Sequence, residues 1–172
     1  MNMPTTSRSA AFVNYVFQRC QQDKGFAARL RRGDNPATEY QCWDTLAAFG
    51  VNLEFVNERQ PFALTAAAIA RSTQKTNGGL KLGQAIARSF DDGNQSDQAR
   101  ARLRRLLACD DVEELCRILR PLLSLIQNRV QQIDYASFLE DLCWFDSATM
   151  RVKTRWAQQF YGKSAAENQG DA

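Results

Sequence analysis

The sequence contains no histidine among its 172 residues. Histidine is the commonest general base and the usual partner of a serine or cysteine nucleophile, so its absence argues against enzymes built on those pairs. Imidazole metal sites are excluded as well, and no glycine-rich segment has the spacing of a phosphate-binding P-loop. These absences disfavour an enzyme, and we expect no catalytic residues, no metal site and no cofactor.

Closely paired cysteines and long apolar runs are also missing. The five cysteines are scattered without any CxxC spacing, at Cys20, Cys42, Cys109, Cys116 and Cys143. We therefore expect reduced, buried thiols and neither a zinc site nor a disulfide framework. The longest weakly polar stretch, 62–70, is far shorter than the roughly 20 residues that cross a bilayer. With no evident signal peptide, we predict a cytoplasmic protein that does not contact a membrane.

Acidic residues are absent from one long window of the chain. Residues 59–90 contain no aspartate or glutamate, and their basic residues are Arg59, Arg71, Lys75, Lys81 and Arg88. The net charge is only +3 at pH 7, but its segregation along the chain favours a polyanionic partner.

Apolar residues recur at spacings of three and four through nearly every segment, which is the period of the α-helix. We predict an all-α, compact fold of about eight or nine helices. One domain is expected over residues 8–162, with possible sub-lobes at 8–92 and 96–162. The polar tail 163–172 lacks apolar anchors and is expected to be disordered.

Capping residues mark where several helices begin. Asn35 before Pro36 predicts a helix that continues to Gly50, and Asn57 predicts the start of the next helix. Further along the chain, three more starts are predicted at Asp110 or Asp111, at Asp134, and at Asp146 or Ser147.

Two other segments carry turn or breaker signals. Pro121 falls inside a helical pattern and predicts a kink or a break near Arg120. The polar stretch STQKTNGG, residues 72–79, predicts a mobile loop that ends in two glycines and is able to follow a nucleic-acid backbone.

The segment ARARLRRLL, residues 99–107, has four arginines within six positions and no acid. On a helix, Ala99, Leu103, Leu106 and Leu107 form one narrow stripe that can face a core, which leaves the arginines spread over a wide arc. One interpretation is a solvated face that nearby aspartates neutralise. The other is a phosphate-binding face, because a guanidinium presents planar, bidentate donors to phosphate oxygens.

Other basic segments favour the phosphate-binding interpretation. RLRR at 29–32, the loop around Lys75 and RVKTR at 151–155 add three separate basic clusters. No zinc finger, basic zipper, RNA-recognition motif or clear helix-turn-helix is present. We therefore expect contacts with the phosphate backbone that are independent of nucleotide sequence.

The order of several segments resembles a known family. FAARLRRG is followed by a tryptophan and FG, then by LKLGQAIARS, RARLRRLLACDD, ELCRILRPLL, IDYASFLEDLCWF and a terminal W..QFY. This ordered set, over roughly residues 8–162, resembles the small subunit of the type I-E CRISPR Cascade complex, called CasB. No single motif within the set is diagnostic, since none is catalytic.

The resemblance implies that the helices form two packed small helix bundles. It also implies a non-catalytic clamp within a crRNA-guided surveillance complex. Its implied partners are crRNA and target DNA, the Cascade backbone and large subunits, and a second copy of the chain. A basic surface would support the guide–target hybrid and the displaced DNA strand. The candidate nucleic-acid contacts, with Lys81 added from the acid-free window, are Arg31, Arg32, Lys75, Lys81, Arg100, Arg102, Arg104, Arg105, Arg117, Arg120, Arg151 and Lys153.

An alternative is a protein–protein adaptor whose arginines dock acidic partner surfaces. In that case Ala99, Leu103 and Leu107 would be partly exposed and would form a groove for the partner. A metal-dependent nuclease is a third, disfavoured possibility.

Overall fold

Nine α-helices and two short 3₁₀-helices form the fold over residues 6–162, the part of the chain that the computed structural model describes. The predicted all-α class is confirmed, and the predicted tail 163–172 lies outside the described residues. The α-helices are α1 (Arg8–Gln22), α2 (Lys24–Leu30), α3 (Trp43–Ala48), α4 (Val56–Arg71), α5 (Leu82–Arg88), α6 (Asp97–Leu107), α7 (Val112–Gln127), α8 (Tyr135–Trp144) and α9 (Thr149–Tyr161). The 3₁₀-helices are Glu39–Cys42 and Gly93–Gln95.

Helix α4 lies at the centre of the fold. All of its residues from Pro61 to Ala70 are buried, and it packs against α1, α2, α3, α7 and α8. A helix that is apolar on every side needs neighbours on every side, so the remaining helices are arranged around it. One hydrophobic cluster includes residues from both halves of the chain, and the division into sub-lobes stays a prediction.

Two of the predicted caps are confirmed by their hydrogen bonds. Asp111 accepts the backbone N–H of Glu114 at 2.8 Å, and Asp134 accepts that of Ser137 at 3.0 Å. Both carboxylates satisfy a backbone donor that the first turn of a helix leaves free, and their charge is favourable there.

The helix predicted from Asn35 to Gly50 is wrong in its first half. The side chain of Asn35 accepts the N–H of Ala37 at 3.1 Å and closes a turn. Glu39 is held by an ion pair with Arg59 at 2.5 Å. These contacts leave a turn followed by a 3₁₀-helix, and regular α-helix begins only at Trp43.

Two predicted helix starts are shifted along the chain. The N–H of Arg59 donates to the carbonyl of Phe55 at 2.8 Å, so α4 begins before Asn57. Asp146 does not begin α9, because its carboxylate accepts the N–H of Val112 at 2.8 Å. Side-chain contacts with distant segments override the local capping signal in the second case.

Pro121 does not break α7, which continues from Val112 to Gln127. The apolar face of this helix is buried on both sides of the proline, through Leu119, Leu122 and Leu123. Tertiary packing of that face compensates for the backbone hydrogen bond that proline cannot make.

The predicted mobile loop is anchored to the segment before α8. Leu80 donates to the carbonyl of Gln132 at 2.8 Å, and Gly78 donates to Ile133 at 3.0 Å. The side-chain amide of Gln74 both donates to and accepts from the backbone of Ile133, each at 2.9 Å. Hydrogen bonds from both Gln74 and Gly78 therefore hold this loop against Ile133.

All five cysteines are free, as the sequence predicts, although they are not all buried. Cys143 is exposed and Cys20 is half-buried. None of the helices in the described part of the chain is both long enough and apolar enough to cross a membrane.

The close approach of Gly78 to Gln132 gives a test of the anchored loop. A Cβ at Gly78 would lie 2.0 Å from the Gln132 carbonyl oxygen, whereas a Cβ at Gly79 meets nothing within 4 Å. We expect Gly78→Ala to lower the free energy of unfolding by about 2 kcal/mol or more, because backbone must move. The matched variant Gly79→Ala should change it by less than about 1 kcal/mol.

Chemical denaturation of both variants measures the difference. Equal stability of the two would contradict the anchored position of this loop.

Candidate nucleic-acid interface

Helix α6 is held in place by its apolar stripe. The Ser96 hydroxyl accepts the N–H of Ala99 at 3.2 Å and begins the helix. Ala99, Leu103 and Leu106 are fully buried, and the helix packs against α5, α7 and α9. Leu107 is half-buried. The stripe thus faces the core and does not form the exposed groove that the adaptor hypothesis requires.

The arginines of α6 lie outside that stripe, on the rest of the helix surface. Arg102, Arg104 and Arg105 are exposed, and none of them is in an ion pair with a residue of the range 6–162. Arg100 differs, because its guanidinium donates to the Asn94 carbonyl and the Gln95 side chain, each at 2.9 Å. Three guanidiniums on this helix are thus available to an external anion.

Helix α9 contributes basic side chains next to α6. Arg151 is exposed, and the ammonium of Lys153 lies 5.9 Å from the centre of the Phe145 ring. Burial raises the pKa of Cys109, and both Lys153 and Arg105 are close enough to oppose that effect. The structure therefore brings Arg105 of α6 and Lys153 of α9, which come from two separate sequence clusters, close to one another at Cys109. We call the α6–α9 cluster the set Arg102, Arg104, Arg105, Arg151 and Lys153.

Arg155 does not belong to that cluster, because it is paired with Asp141. The Asp141 side chain is 4% exposed and accepts the indole N–H of Trp156 at 2.8 Å. Burial raises the pKa of Asp141 despite these two donors. Arg155 thus compensates a buried acid that would otherwise be costly.

Acidic residues at the start of α7 border the α6–α9 cluster. Asp111 and Glu114 also act on Cys109, where their charges raise its pKa. They line, together with Glu113, an open cavity of about 830 Å³ between α4 and α7. The basic surface therefore does not continue without interruption from α6 to the arginines of α7.

The cavity contains a cluster of charges around Asp34. The Asp34 side chain is 2% exposed and pairs with Arg71, while Arg120 approaches it at 3.6 Å. The hydrogen bond to Asp34 raises the pKa of Arg71, and Arg71 also donates to the Arg31 carbonyl. Of the predicted contacts here, Arg120 is thus partly engaged, and Arg117 is exposed at the cavity wall.

Arg31 and Arg32 lie after α2, on the same side as this cavity. The Nε of Arg31 donates to the Ala70 carbonyl at 3.0 Å, and Arg32 donates to the Gln41 side chain at 3.3 Å. Both residues are otherwise exposed, so each keeps donors that face solvent.

The two lysines of the acid-free window have different environments. Lys75 is exposed, and its backbone carbonyl accepts the side-chain amide of Gln21 at 2.6 Å. Lys81 donates to Asp134 at 2.5 Å and to the Ser137 hydroxyl at 2.6 Å. Lys81 therefore has a structural role at the anchored loop, in addition to its predicted contact with nucleic acid.

Asp134 is the centre of that network. Burial by itself raises its pKa, but hydrogen bonds from Lys81, Asn77 and Ser137 outweigh burial and lower the pKa to about 2. The carboxylate caps α8 and also accepts a hydrogen bond from the side chain of Asn77 in the loop.

Arg88 is absent from the set of sequence candidates although it meets the same criteria. It is exposed and ends α5, a helix that packs against both α6 and α9. The acid-free window of the sequence includes Arg88, but the packing of its helix against α6 and α9 is visible only in the folded chain. Within residues 6–162 there is no group of three or more carboxylates or cysteines with a geometry that could hold a metal ion.

Comparisons with known proteins bear on the family and the fold. The sequence profile of CRISPR-associated protein Cse2 matches residues 27–161. No curated protein sequence matches the chain. The fold is similar to the crystal structure of M. ruber CasB, with a TM-score of 0.76, 27% identity, and coverage of 97% of this chain and 99% of that one.

Two further structures share the fold at lower sequence identity. A chain of a CRISPR RNA-guided surveillance complex has a TM-score of 0.73 and 23% identity, with 96% of each chain covered. CasB from Thermus thermophilus has a TM-score of 0.71 and 24% identity, with 91% of this chain and 99% of that chain covered.

The depressed pKa of Asp134 predicts how stability depends on pH. A carboxylate whose pKa is lower in the folded state stabilises the fold above its unfolded pKa of 3.8, and this contribution disappears as the pH falls toward about 2. We expect Asp134→Asn to lower the free energy of unfolding by about 2 kcal/mol at pH 7. The deficit should shrink steadily between pH 4 and pH 2.

Urea denaturation over that pH range measures the effect. Asp92→Asn is the matched control, since Asp92 is exposed and should show no such dependence. A deficit for Asp134→Asn that stays constant with pH would contradict the network.

Proposed function

The chain belongs to the CRISPR-associated protein Cse2 family, and from that premise we propose that it is the small subunit of a crRNA-guided Cascade surveillance complex. In this role it is a non-catalytic clamp that binds nucleic-acid backbone without sequence specificity. It supports the guide–target hybrid of crRNA and target DNA and the displaced DNA strand, next to the backbone and large subunits and a second copy of itself.

The observation that carries the proposal is the α6–α9 cluster. The helix that carries its three α6 arginines is held in place by the buried side chains of Ala99, Leu103 and Leu106. No acid within residues 6–162 forms an ion pair with these arginines. Exposed guanidiniums without an ion pair bind phosphate favourably, because phosphate oxygens accept paired hydrogen bonds from them. Binding also releases counterions from the nucleic acid. A structured helix also gives up little conformational entropy when it binds.

We propose that the other candidate residues contribute less to binding than the α6–α9 cluster. Arg32, Lys75 and Arg117 are exposed and extend the proposed contacts beyond the cluster. Arg31, Lys81, Arg100 and Arg120 already use some of their donors within the protein, so we propose that they make weaker contacts or position their neighbours.

Reversal of charge on α6 tests the proposal. We expect Arg102→Glu/Arg105→Glu to weaken binding of mixed-sequence single-stranded DNA at least tenfold, because two attractive phosphate interactions become repulsive. The slope of log affinity against log salt should fall in magnitude by about 1.4, which is about 0.7 for each phosphate that the variant no longer neutralises. Fluorescence anisotropy of a labelled oligonucleotide, recorded over a range of salt concentrations, measures both quantities.

The matched control is Lys24→Glu, which is compared with the single variant Arg102→Glu, because each reverses one charge at an exposed position and Lys24 lies outside the proposed contacts. Equal weakening by these two single variants would show only an effect of net charge and would contradict a site on α6. Unchanged oligonucleotide binding together with weaker binding to an acidic protein partner would favour the adaptor alternative.

A further inference from the structure

Two large aromatic side chains are exposed at one depression of the surface, since Phe55 lines it and Trp144 follows the lining residue Cys143 in the chain. Phe55 is 59% exposed and Trp144 is 57% exposed. Phe55 lines an open depression of about 460 Å³ with Arg8, Glu58 and Cys143. Trp144 follows Cys143 at the end of α8. We call this surface the Phe55–Trp144 patch.

Both aromatic residues are fixed by the ends of packed helices. Phe55 is the N-cap residue of α4, the central helix of the fold. The indole N–H of Trp144 donates to Glu140 at 3.3 Å, one turn earlier in α8. Exposed aromatics at the ends of packed helices are typical of the residues that dominate protein–protein binding energy, since an aromatic side chain has few rotatable bonds and gives up little entropy when a partner covers it.

The charges next to the patch have the opposite sign to those of the α6–α9 cluster. Glu54 adjoins Phe55 in the chain, and Glu140 accepts the hydrogen bond of Trp144. The guanidinium of Arg8 is already paired with Glu58 at 2.9 Å. Three carboxylates against one guanidinium repel a phosphate backbone, so stacking of nucleic-acid bases on these rings is disfavoured.

We infer that the Phe55–Trp144 patch docks a protein segment that presents an apolar side chain flanked by lysine or arginine. The inference rests on the proposed function, because such a segment would belong to another subunit of the surveillance complex. The apolar side chain would cover the two rings, and the basic residue would approach Glu54 and Glu140. One face of the molecule would then bind nucleic acid and a separate face would bind protein.

Retention on an assembled complex tests the inference. The probe is the immobilised crRNA-loaded complex reconstituted without its small subunit, and the measurement is the affinity of the added full-length chain. We expect Phe55→Ser/Trp144→Ser to be retained at least tenfold more weakly than the wild type. Serine is a favourable N-cap residue, so Phe55→Ser keeps the start of α4. Thermal unfolding of the free variant verifies that it is folded.

Charge reversal tests the basic character of the partner. Glu54→Lys/Glu140→Lys should weaken retention several-fold at low salt, and the effect should diminish at high salt.

The matched control for Phe55→Ser/Trp144→Ser is Tyr161→Ser, which removes an aromatic side chain of 48% exposure from α9 and should leave retention unchanged.

Three results would overturn the inference. The first is unchanged retention of Phe55→Ser/Trp144→Ser. The second is an equal decrease of single-stranded DNA affinity in the free variant, which would make the patch a stacking surface. The third is a wild-type dimer in sedimentation that the variant abolishes, which would make the occupant a second copy of the chain.

The separate oligonucleotide assay distinguishes this inference from the proposed function. If the wild type binds DNA through α6 and the complex retains the wild type and Phe55→Ser/Trp144→Ser equally, only the inference about the patch is contradicted. If the complex does not retain the wild type, both the proposed function and the inference are contradicted.

Discussion

Burial of α4 on every side is the constraint that organises the other helices. Ten consecutive residues, Pro61 to Ala70, are buried, and no single neighbouring helix could cover them. Five other helices surround α4, and carbonyls near its C-terminus accept hydrogen bonds from other segments. The side chain of Gln127 donates to the Ala68 carbonyl at 2.6 Å, and Arg31 donates to that of Ala70 at 3.0 Å. Helices that do not contact α4 then attach to this inner layer.

This packing also determines which basic residues are used internally. Each of four largely buried acids has its own basic partner, and the pairs are Asp34 with Arg71, Glu39 with Arg59, Asp134 with Lys81, and Asp141 with Arg155. A buried carboxylate without a partner would be strongly destabilising. Each internal pair uses one acid and one base, so the excess of basic residues is left for the surface, where the arginines of α6 lie.

The separation of surface charge follows from that division. The α6–α9 cluster is basic because its helices turn their apolar residues inward and expose guanidiniums. The Phe55–Trp144 patch is acidic because Arg8, its nearest cation, is paired with Glu58. A weakly basic chain thus has two surface regions of opposite charge, of which we propose that the basic one binds a phosphate backbone and the acidic one binds protein.

Residue spacing and local capping were enough to predict the helical class, several helix starts and the amphipathic form of α6. Ala99, Leu103 and Leu106 are buried as their period predicts. The same reasoning could not show that Asp146 binds Val112 or that the glycine loop is anchored at Gln132. Only the tertiary structure determines those contacts. It also determines which basic residues are left without an internal ion pair. Ion pairs and packed loops join residues far apart in the sequence, and no local pattern encodes such pairings.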